Sequence, residues 1–255
     1  MPFATSDDCE IYYETQGSAK QVFVFVPGYM GIADIWAPLV VPLSTQYHCI
    51  TYDNRGYGRS SKPTSPTDFS LTKVASDITS LLNSLRIHDP VLLVTHSFGS
   101  LIASEFFHQH PDRVKGIVYT GAVIAGMFDD PEATVHALTY NGHLPSAAAQ
   151  FYINLGLSRD IALEAAKWSC AARMSFARSM VNASLGGRWS DIVVPTLVVQ
   201  GEEDNITPSE VAQKLHALLP QSRLELLKGV KHFPSTESPE RLGRLIEEFG
   251  DSLFK

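Results

Sequence analysis

A serine between two small residues stands where an apolar run meets a helical run. Ser97 follows the apolar residues 91–94, and Thr95 and Gly99 flank it. Small residues at 95 and 99 permit a sharp turn in which larger side chains would clash with the neighbouring strand and helix. Such a turn exposes the hydroxyl beside the N–H groups that open the helix. The pattern predicts a nucleophile, with an ordinary helix-capping serine as the structural alternative.

A serine hydroxyl is a weak nucleophile at neutral pH, so Ser97 needs a general base, and that base needs an orienting acid. Asp204 follows the strand-like run 196–200, and His232 follows the later run 223–227. Both residues therefore stand where a late strand ends, on the side of the sheet where we expect Ser97. The order of serine, aspartate and histidine along the chain predicts a catalytic triad.

Two observations favour Asp204 over the acids beside it. Residues 206–208 lead from Asp204 into the next helix and restrain its loop, whereas we expect Glu202 and Glu203 to face solvent. A rival acid after the preceding strand is excluded, because residues 120–124 contain no carboxylate.

The tetrahedral intermediate of acyl transfer also needs N–H donors for its oxyanion. One is expected from the amide of Phe98. The other is expected from the loop 27–31, where Gly28 permits a tight turn and the amide of Tyr29 is the better candidate. A plain glycine-rich turn is the alternative there. A nucleotide-binding loop is rejected, because neither Gly-Lys-Ser/Thr nor a third glycine is present.

The elements that position these residues alternate along the chain. Continuous apolar runs parted by amphipathic runs predict a doubly wound, mostly parallel α/β sheet, and the alternating run 10–15 predicts an antiparallel start. Strands are expected at 10–15, 22–26, 48–52, 91–94, 116–119, 196–199 and 223–227, and helices at roughly 70–86, 98–109, 208–219 and 239–253.

One long region has no strand-like run. Residues 126–188 contain helical stretches parted by glycine, proline and asparagine, too many residues for a simple loop. We predict a helical lid of about four helices over the strand ends. The expected division is a first core part at 1–125, the lid at 126–188 and a second core part at 189–255.

Taken together, these residues resemble the α/β-hydrolase family over the whole chain. Ser97, Asp204 and His232 match its order of nucleophile, acid and histidine, and residues 53–60 are similar to its turn after the next strand, which we interpret as structural. The family's second oxyanion loop often begins His-Gly, where this chain has Pro27-Gly28. Because the donor is a backbone amide, we expect the mechanism to survive that change. The resemblance is to compact, lidded enzymes that act on small esters, lactones or C–C bonds.

Aromatic and methionine side chains in the predicted lid indicate a closed, apolar pocket for a small or medium uncharged substrate. Arg173 and Arg178 could bind a substrate carboxylate, but we expect them to face solvent. The residues expected to contact substrate are Gly28, Met30, Tyr152, Trp168, Met174 and Phe233.

The leading hypothesis is hydrolysis of an ester or lactone through an acyl-enzyme on Ser97. C–C bond hydrolases, hydroxynitrile lyases and cyclising acyl transferases keep the same triad, and some plant hormone receptors keep it with very slow turnover, so these remain alternatives. Epoxide hydrolases and haloalkane dehalogenases are disfavoured, because they carry aspartate where this chain has Ser97.

Composition limits the partners. A net charge of −7 over 255 residues, without long charge runs, argues against nucleic acid and against an anionic membrane. The first residues, with no basic segment and no apolar segment, do not predict a signal peptide, and no apolar stretch of about 20 residues predicts a membrane span. Three widely spaced cysteines without a Cys-x-x-Cys pair favour a reducing compartment. We expect a cytoplasmic monomer or homodimer with no metal or cofactor.

Overall fold

The apolar runs form one mixed sheet in the computed structural model, which describes residues 2–29 and 31–254. The strands are β1 Phe3–Ser6, β2 Cys9–Gln16, β3 Val22–Val26, β4 His48–Tyr52, β5 Val91–His96, β6 Val114–Thr120, β7 Thr196–Gly201 and β8 Ser222–Leu227. The helices are α1 Ala37–Leu43, α2 Leu71–Ser84, α3 Gly99–Gln109, α4 Pro131–Thr139, α5 Pro145–Asn154, α6 Arg159–Ala165, α7 Cys170–Val181, α8 Ser209–Leu218, α9 Pro234–Glu237 and α10 Pro239–Phe254.

The strand order is β1-β2-β4-β3-β5-β6-β7-β8. The β1–β2 and β2–β4 pairs are antiparallel, and the other neighbouring pairs are parallel. From β3 the chain goes first to β4 on one side and then to β5 on the other. Loops that leave neighbouring strands in opposite directions open a crevice at the carboxyl ends of those strands. The loops after β3 and β5 meet at that crevice.

Burial explains why the central runs are apolar throughout. Every residue of β3 and β5 is buried. Helices flank the sheet, with α1 packed on α10 and α2 on α3, so neither face of a central strand meets water. By contrast, β2 has alternating burial along its first half, as expected near the edge of the sheet. Within the described residues, none of the helices has both the length and the apolar character needed to cross a bilayer.

The predicted elements are confirmed, and three elements were not predicted: β1, α1 and the four-residue helix α9. Strand β1 was missed because it has only four residues and owes its order to its pairing with β2. Helix α1 was missed because Pro38 and Pro42 disfavour a helix of seven residues, although its apolar side packs on α10. Between β6 and β7 the chain forms the four helices α4 to α7. Whether residues 126–188 are a separate domain stays a prediction.

A buried ion pair joins the turn after β4 to helix α2. Arg55 Nε donates to Asp77 Oδ2 at 2.8 Å, and Arg55 Nη1 donates to the carbonyl of Asp68 at 3.0 Å. Both charged side chains are at most 1% exposed. Removing one partner of such a pair leaves an uncompensated charge inside the protein.

We therefore expect Asp77→Ala to lower the free energy of unfolding by about 3–5 kcal/mol in urea titrations. The matched control is Asp89→Ala, because Asp89 forms a 3.7 Å pair with Lys20 and both side chains are highly exposed. That control should leave the urea midpoint almost unchanged, since solvent screens an exposed pair. Equal midpoint shifts in the two variants would contradict a stabilising role for the buried pair.

Candidate active site

Ser97 occupies a strained turn between β5 and α3. Its φ is +53°, a conformation that residues other than glycine rarely adopt. The Ser97 N–H donates to the carbonyl of Thr120 at 2.9 Å, and the Ser97 carbonyl accepts from the Ser100 N–H at 3.0 Å. At Gly99 a Cβ would lie 2.3 Å from the carbonyl oxygen of Val26, so only glycine fits there. These contacts hold the turn that the sequence pattern predicted.

Asp204 and His232 form a hydrogen-bonded pair. The Asp204 Oδ2 and His232 Nδ1 atoms are 2.7 Å apart, and both residues are buried. This bond leaves Nε2 of His232 as the ring atom available for proton transfer. Ser97 and His232 line the same cavity. Among the described residues, the Ser97 hydroxyl forms no direct hydrogen bond with His232, and such bonds are often long in enzymes without substrate.

The Asp204 carboxylate is held by its own loop. Its Oδ1 accepts from the Ile206 N–H at 2.8 Å and the Thr207 N–H at 3.0 Å, and its Oδ2 accepts from the Thr207 hydroxyl at 2.7 Å and from Gln200 Nε2 at 2.9 Å. Burial acts to raise the pKa of Asp204, but the charge of His232 and these hydrogen bonds outweigh it, so the pKa lies well below the usual range. The carboxylate therefore stays ionised. Its neighbours Glu202 and Glu203 are exposed, as expected.

Asn54 holds the loop that follows β3. Its Nδ2 donates to the carbonyls of Pro27 at 3.0 Å and Gly28 at 3.2 Å, and its backbone N–H donates to the carbonyl of Gly31 at 3.0 Å. The Gly28 carbonyl and the Tyr29 N–H belong to one planar peptide unit and point in opposite directions. Anchoring that carbonyl to Asn54 therefore turns the Tyr29 N–H away from Asn54.

Gly28 brings this loop against the serine turn. A Cβ on Gly28 would lie 2.8 Å from the Phe98 nitrogen and 3.0 Å from the Ser97 Cβ. Neither the Tyr29 N–H nor the Phe98 N–H donates to another group in the part of the chain that the structure describes. Two free amides beside one serine are the arrangement that an oxyanion site requires.

Hydrogen bonds hold the loop on both sides of His232. Glu237 accepts from the Lys231 N–H at 3.0 Å through Oε2 and from the Phe233 N–H at 2.8 Å through Oε1. The His232 N–H itself donates to the carbonyl of Leu155 at 3.2 Å. Because Leu155 directly follows α5, the position of His232 is linked to the helices between β6 and β7.

The cavity at Ser97 has a volume of about 570 Å³. Helices α4 and α5 form part of its wall, together with the loops after β3, β5, β6, β7 and β8. Most of the lining is apolar. The residues that line it are Tyr29, His96, Ser97, Phe98, Val123, Met127, Phe128, Asp129, Asp130, Ala133, Thr134, Ala137, Leu138, Phe151, Tyr152, Leu155, Asn205, Ile206, Pro208, His232 and Phe233.

The predicted substrate contacts divide into three groups. Tyr152 and Phe233 line the cavity. Trp168 does not, because its ring is stacked on Tyr57 at 4.0 Å between centroids. Met174 does not line the cavity either, because its side chain is 37% exposed and faces a separate surface depression beside residues 64–70. Gly28 lies against the serine turn and does not line the cavity. Met30 lies outside the described residues.

Arg173 also differs from expectation. It was expected to face solvent with Arg178, but its side chain is buried and only Arg178 is exposed. His96, expected to pack beneath the turn, does so and also lines the cavity, with its ring centroid 4.7 Å from that of His232.

Four supporting residues were missed from the sequence: Asn54, Gln200, Thr207 and Glu237. A signal existed for Thr207, whose short distance from Asp204 in sequence allows a local side-chain-to-carboxylate bond. No such signal marks Glu237, because its Oε1 accepts from the Phe233 N–H four residues earlier, one residue more than the spacing of a capping box. No local signal exists for Asn54, because its acceptors lie 26 and 27 residues earlier.

Known proteins share this architecture. The 3-oxoadipate enol-lactonase 2 of Acinetobacter baylyi is 24% identical over 95% of this chain and 94% of its own length. The non-heme haloperoxidase of Rhodococcus erythropolis is 26% identical over 99% of this chain and 100% of its own. The structure of an esterase from Exiguobacterium antarcticum matches with a TM-score of 0.88 at 23% identity, covering 98% of each chain.

A sequence profile of the alpha/beta hydrolase fold family matches residues 21–167, more than half of the chain. The matched range contains the loop after β3 and the serine turn after β5. This chain is therefore an enzyme of the α/β-hydrolase fold family.

Proposed function

We propose that the protein is a serine hydrolase that cleaves a small or medium, largely apolar carboxylic ester or lactone through an acyl-enzyme on Ser97. The observation that carries this proposal is the buried 2.7 Å bond between Asp204 and His232, facing the cavity that Ser97 also lines. A histidine oriented by a buried carboxylate beside a serine in a strained turn has the parts that nucleophilic acyl transfer needs.

In the proposed reaction, Nε2 of His232 takes the proton of the Ser97 hydroxyl as the oxygen attacks the acyl carbon. Asp204 holds the Nδ1–H tautomer and stabilises the imidazolium that forms. The imidazolium then protonates the leaving alcohol oxygen, and the acyl group remains on Ser97. His232 next removes a proton from water as the water oxygen attacks the acyl carbon, and the imidazolium then gives that proton to the Ser97 oxygen as the bond to the acyl carbon breaks and the acid leaves.

The amides of Tyr29 and Phe98 are the proposed oxyanion donors. They lie beside Ser97 and have no competing acceptor in the described part of the chain. Their geometry is set before substrate arrives, because Asn54 anchors one loop and the start of α3 fixes the other. Donors aimed in advance at a developing charge are a large source of rate acceleration.

The apolar cavity and the relatives support an ester or lactone as substrate. Relatives and structural neighbours include proteins described as an enol-lactonase and an esterase. We propose that α4 to α7 act as the lid, because α4 and α5 supply cavity wall and the Leu155 carbonyl bonds the histidine loop. A closed apolar wall excludes bulk water from the acyl-enzyme.

Ser97→Ala tests the nucleophile. We expect kcat for 4-nitrophenyl butyrate to fall by at least about four orders of magnitude, because the acyl-enzyme cannot form. The control Ser179→Ala, on α7 and away from the cavity, should keep wild-type activity. Mass spectrometry of the products formed from unactivated esters and lactones should show the addition of one water molecule. Lysis and cyclisation would add none. Retention of most activity by Ser97→Ala would disprove the assignment.

Asp204→Asn tests the orienting acid. We expect kcat to fall by about 10³–10⁴-fold, because the amide favours the wrong histidine tautomer. The low pKa of Asp204 also stabilises the folded protein above the unfolded Asp pKa of about 3.9, and this stabilisation decreases as the pH falls toward the folded value. The difference in unfolding free energy between wild type and variant should therefore be larger at pH 6 than at pH 3. A difference that grew on acidification would contradict this reasoning.

Asn54→Ala tests the support of the oxyanion loop. We expect kcat to fall by about tenfold to a hundredfold with KM little changed, less than the 10²–10³-fold loss on removing a donor outright. Asn182→Ala, an exposed residue at the end of α7, is the matched control. Thermal unfolding of both variants separates a local effect from a general loss of stability. An unchanged kcat in Asn54→Ala would show that the Tyr29 amide needs no such anchor.

A further inference from the structure

Arg173, on α7, is a buried cation without an acidic partner. Its side chain is 1% exposed, and a guanidinium stays protonated in proteins. Nη1 donates to the carbonyl of Gly142 at 2.9 Å, and Cζ lies 5.3 Å from the centroid of the Trp168 ring. Within residues 2–29 and 31–254, Nε has no hydrogen-bond partner and no carboxylate forms an ion pair with this side chain.

Such a charge is costly to bury. Surrounding a lone ion with protein forfeits most of its hydration, and a carbonyl, an aromatic ring and the neighbouring phenol oxygens of Tyr29 and Tyr152 return only part of it, since none of them is negatively charged. The other arginine of comparable burial, Arg55, is matched by Asp77. Arg173 thus differs from Arg55 in that no described carboxylate compensates its charge.

Arg173 stands behind two phenols that line the cavity. Its positive charge acts on the pKa of both Tyr29 and Tyr152 and opposes the rise that burial causes, which takes the pKa of Tyr29 to about 12. Both hydroxyls are therefore protonated donors at neutral pH. Tyr29 donates to the carbonyl of Leu138 at 3.1 Å, whereas the buried Tyr152 hydroxyl forms no well-aligned hydrogen bond with a described residue.

The hydroxyls of Tyr29 and Tyr152 form a polar edge on a mostly apolar cavity. Tyr29 directly follows Gly28, which touches the serine turn, so the edge lies on the oxyanion side of Ser97. The two carboxylates that line the cavity elsewhere, Asp129 and Asp130, are exposed and solvent screens them.

We propose that the cavity edge formed by Tyr29 and Tyr152, with Arg173 behind it, binds a carboxylate that the substrate carries on its acyl chain, and that the Tyr152 hydroxyl is the donor, because the Tyr29 proton is already given to the Leu138 carbonyl. The substrate is then amphipathic, with an apolar middle against the cavity wall and one acidic end at the phenols. This proposal rests on the proposed hydrolysis at Ser97 and narrows its substrate class to half-esters of dicarboxylic acids or lactones that carry an acid group.

Two esters that differ only at the chain end test the subsite. The mono-4-nitrophenyl ester of glutaric acid carries a carboxylate where 4-nitrophenyl pentanoate carries a methyl group. We expect the wild type to favour the acidic ester in kcat/KM by about tenfold or more, and Arg173→Met to abolish that preference, so that its kcat/KM falls more for the acidic ester than for the pentanoate. Arg178→Met, the exposed arginine of the same helix, should keep the wild-type ratio. An equal ratio in wild type and Arg173→Met would overturn the proposal.

Arg173 also packs on Trp168, so a second variant at the same cavity edge keeps the test valid if Arg173→Met fails to fold. Tyr152→Phe removes one oxygen and should lower the ratio of acidic to neutral ester by about threefold to tenfold. An unchanged ratio in this variant, with a normal thermal unfolding curve, counts against the subsite.

Binding without turnover separates this proposal from the hydrolase proposal. Calorimetric titration of Ser97→Ala with glutarate should show 1:1 binding that weakens by about tenfold or more when Arg173→Met is added. If glutarate binds in this way but neither ester is hydrolysed in a Ser97-dependent manner, the subsite stands and the proposed reaction fails. If both esters are hydrolysed at Ser97 and glutarate does not bind, the subsite fails alone.

Discussion

The approach of the loop after β3 to the serine turn after β5 is the constraint on which the site depends. Gly28 and Gly99 each leave room where a Cβ would meet backbone at 2.3–2.5 Å. This proximity exists because β3 and β5 are adjacent parallel strands whose connections leave in opposite directions. The positive φ of Ser97 is tolerated because the same strands and α3 determine the chain on both sides of it.

The acid and the base of the site reach the serine turn from the loops that follow two later strands. Asp204 follows β7 and His232 follows β8, and each loop is restrained by side-chain bonds to backbone amides. The resulting pair needs no metal to be oriented. The histidine loop also bonds the Leu155 carbonyl, so movement of the helices between β6 and β7 would move the base. Under the proposed lid role of these helices, substrate access and the alignment of His232 are linked through this bond.

Sequence patterns predicted the central strands, the serine turn and the positions of Asp204 and His232, because strand ends and turn residues have short-range signals. They failed where tertiary packing decides. The polar groups of α7 and the turn after β4 illustrate this: Arg173 and Asn54 each contact residues far away in sequence. Helix α7 shows no clear apolar face in its sequence, so the orientations of Arg173 and Met174 could not be read from periodicity. The cytoplasmic location, the monomeric or dimeric state and the domain boundaries of the lid stay predictions.

The proposed hydrolysis depends on transfer of an acyl group to Ser97. The most direct test of this transfer is rapid acid quenching of the enzyme with 4-nitrophenyl butyrate, followed by intact-mass and peptide mass spectrometry. We expect one butyryl group per chain, located on Ser97. An adduct on another residue, or turnover of the ester without any covalent adduct before steady state, would contradict it.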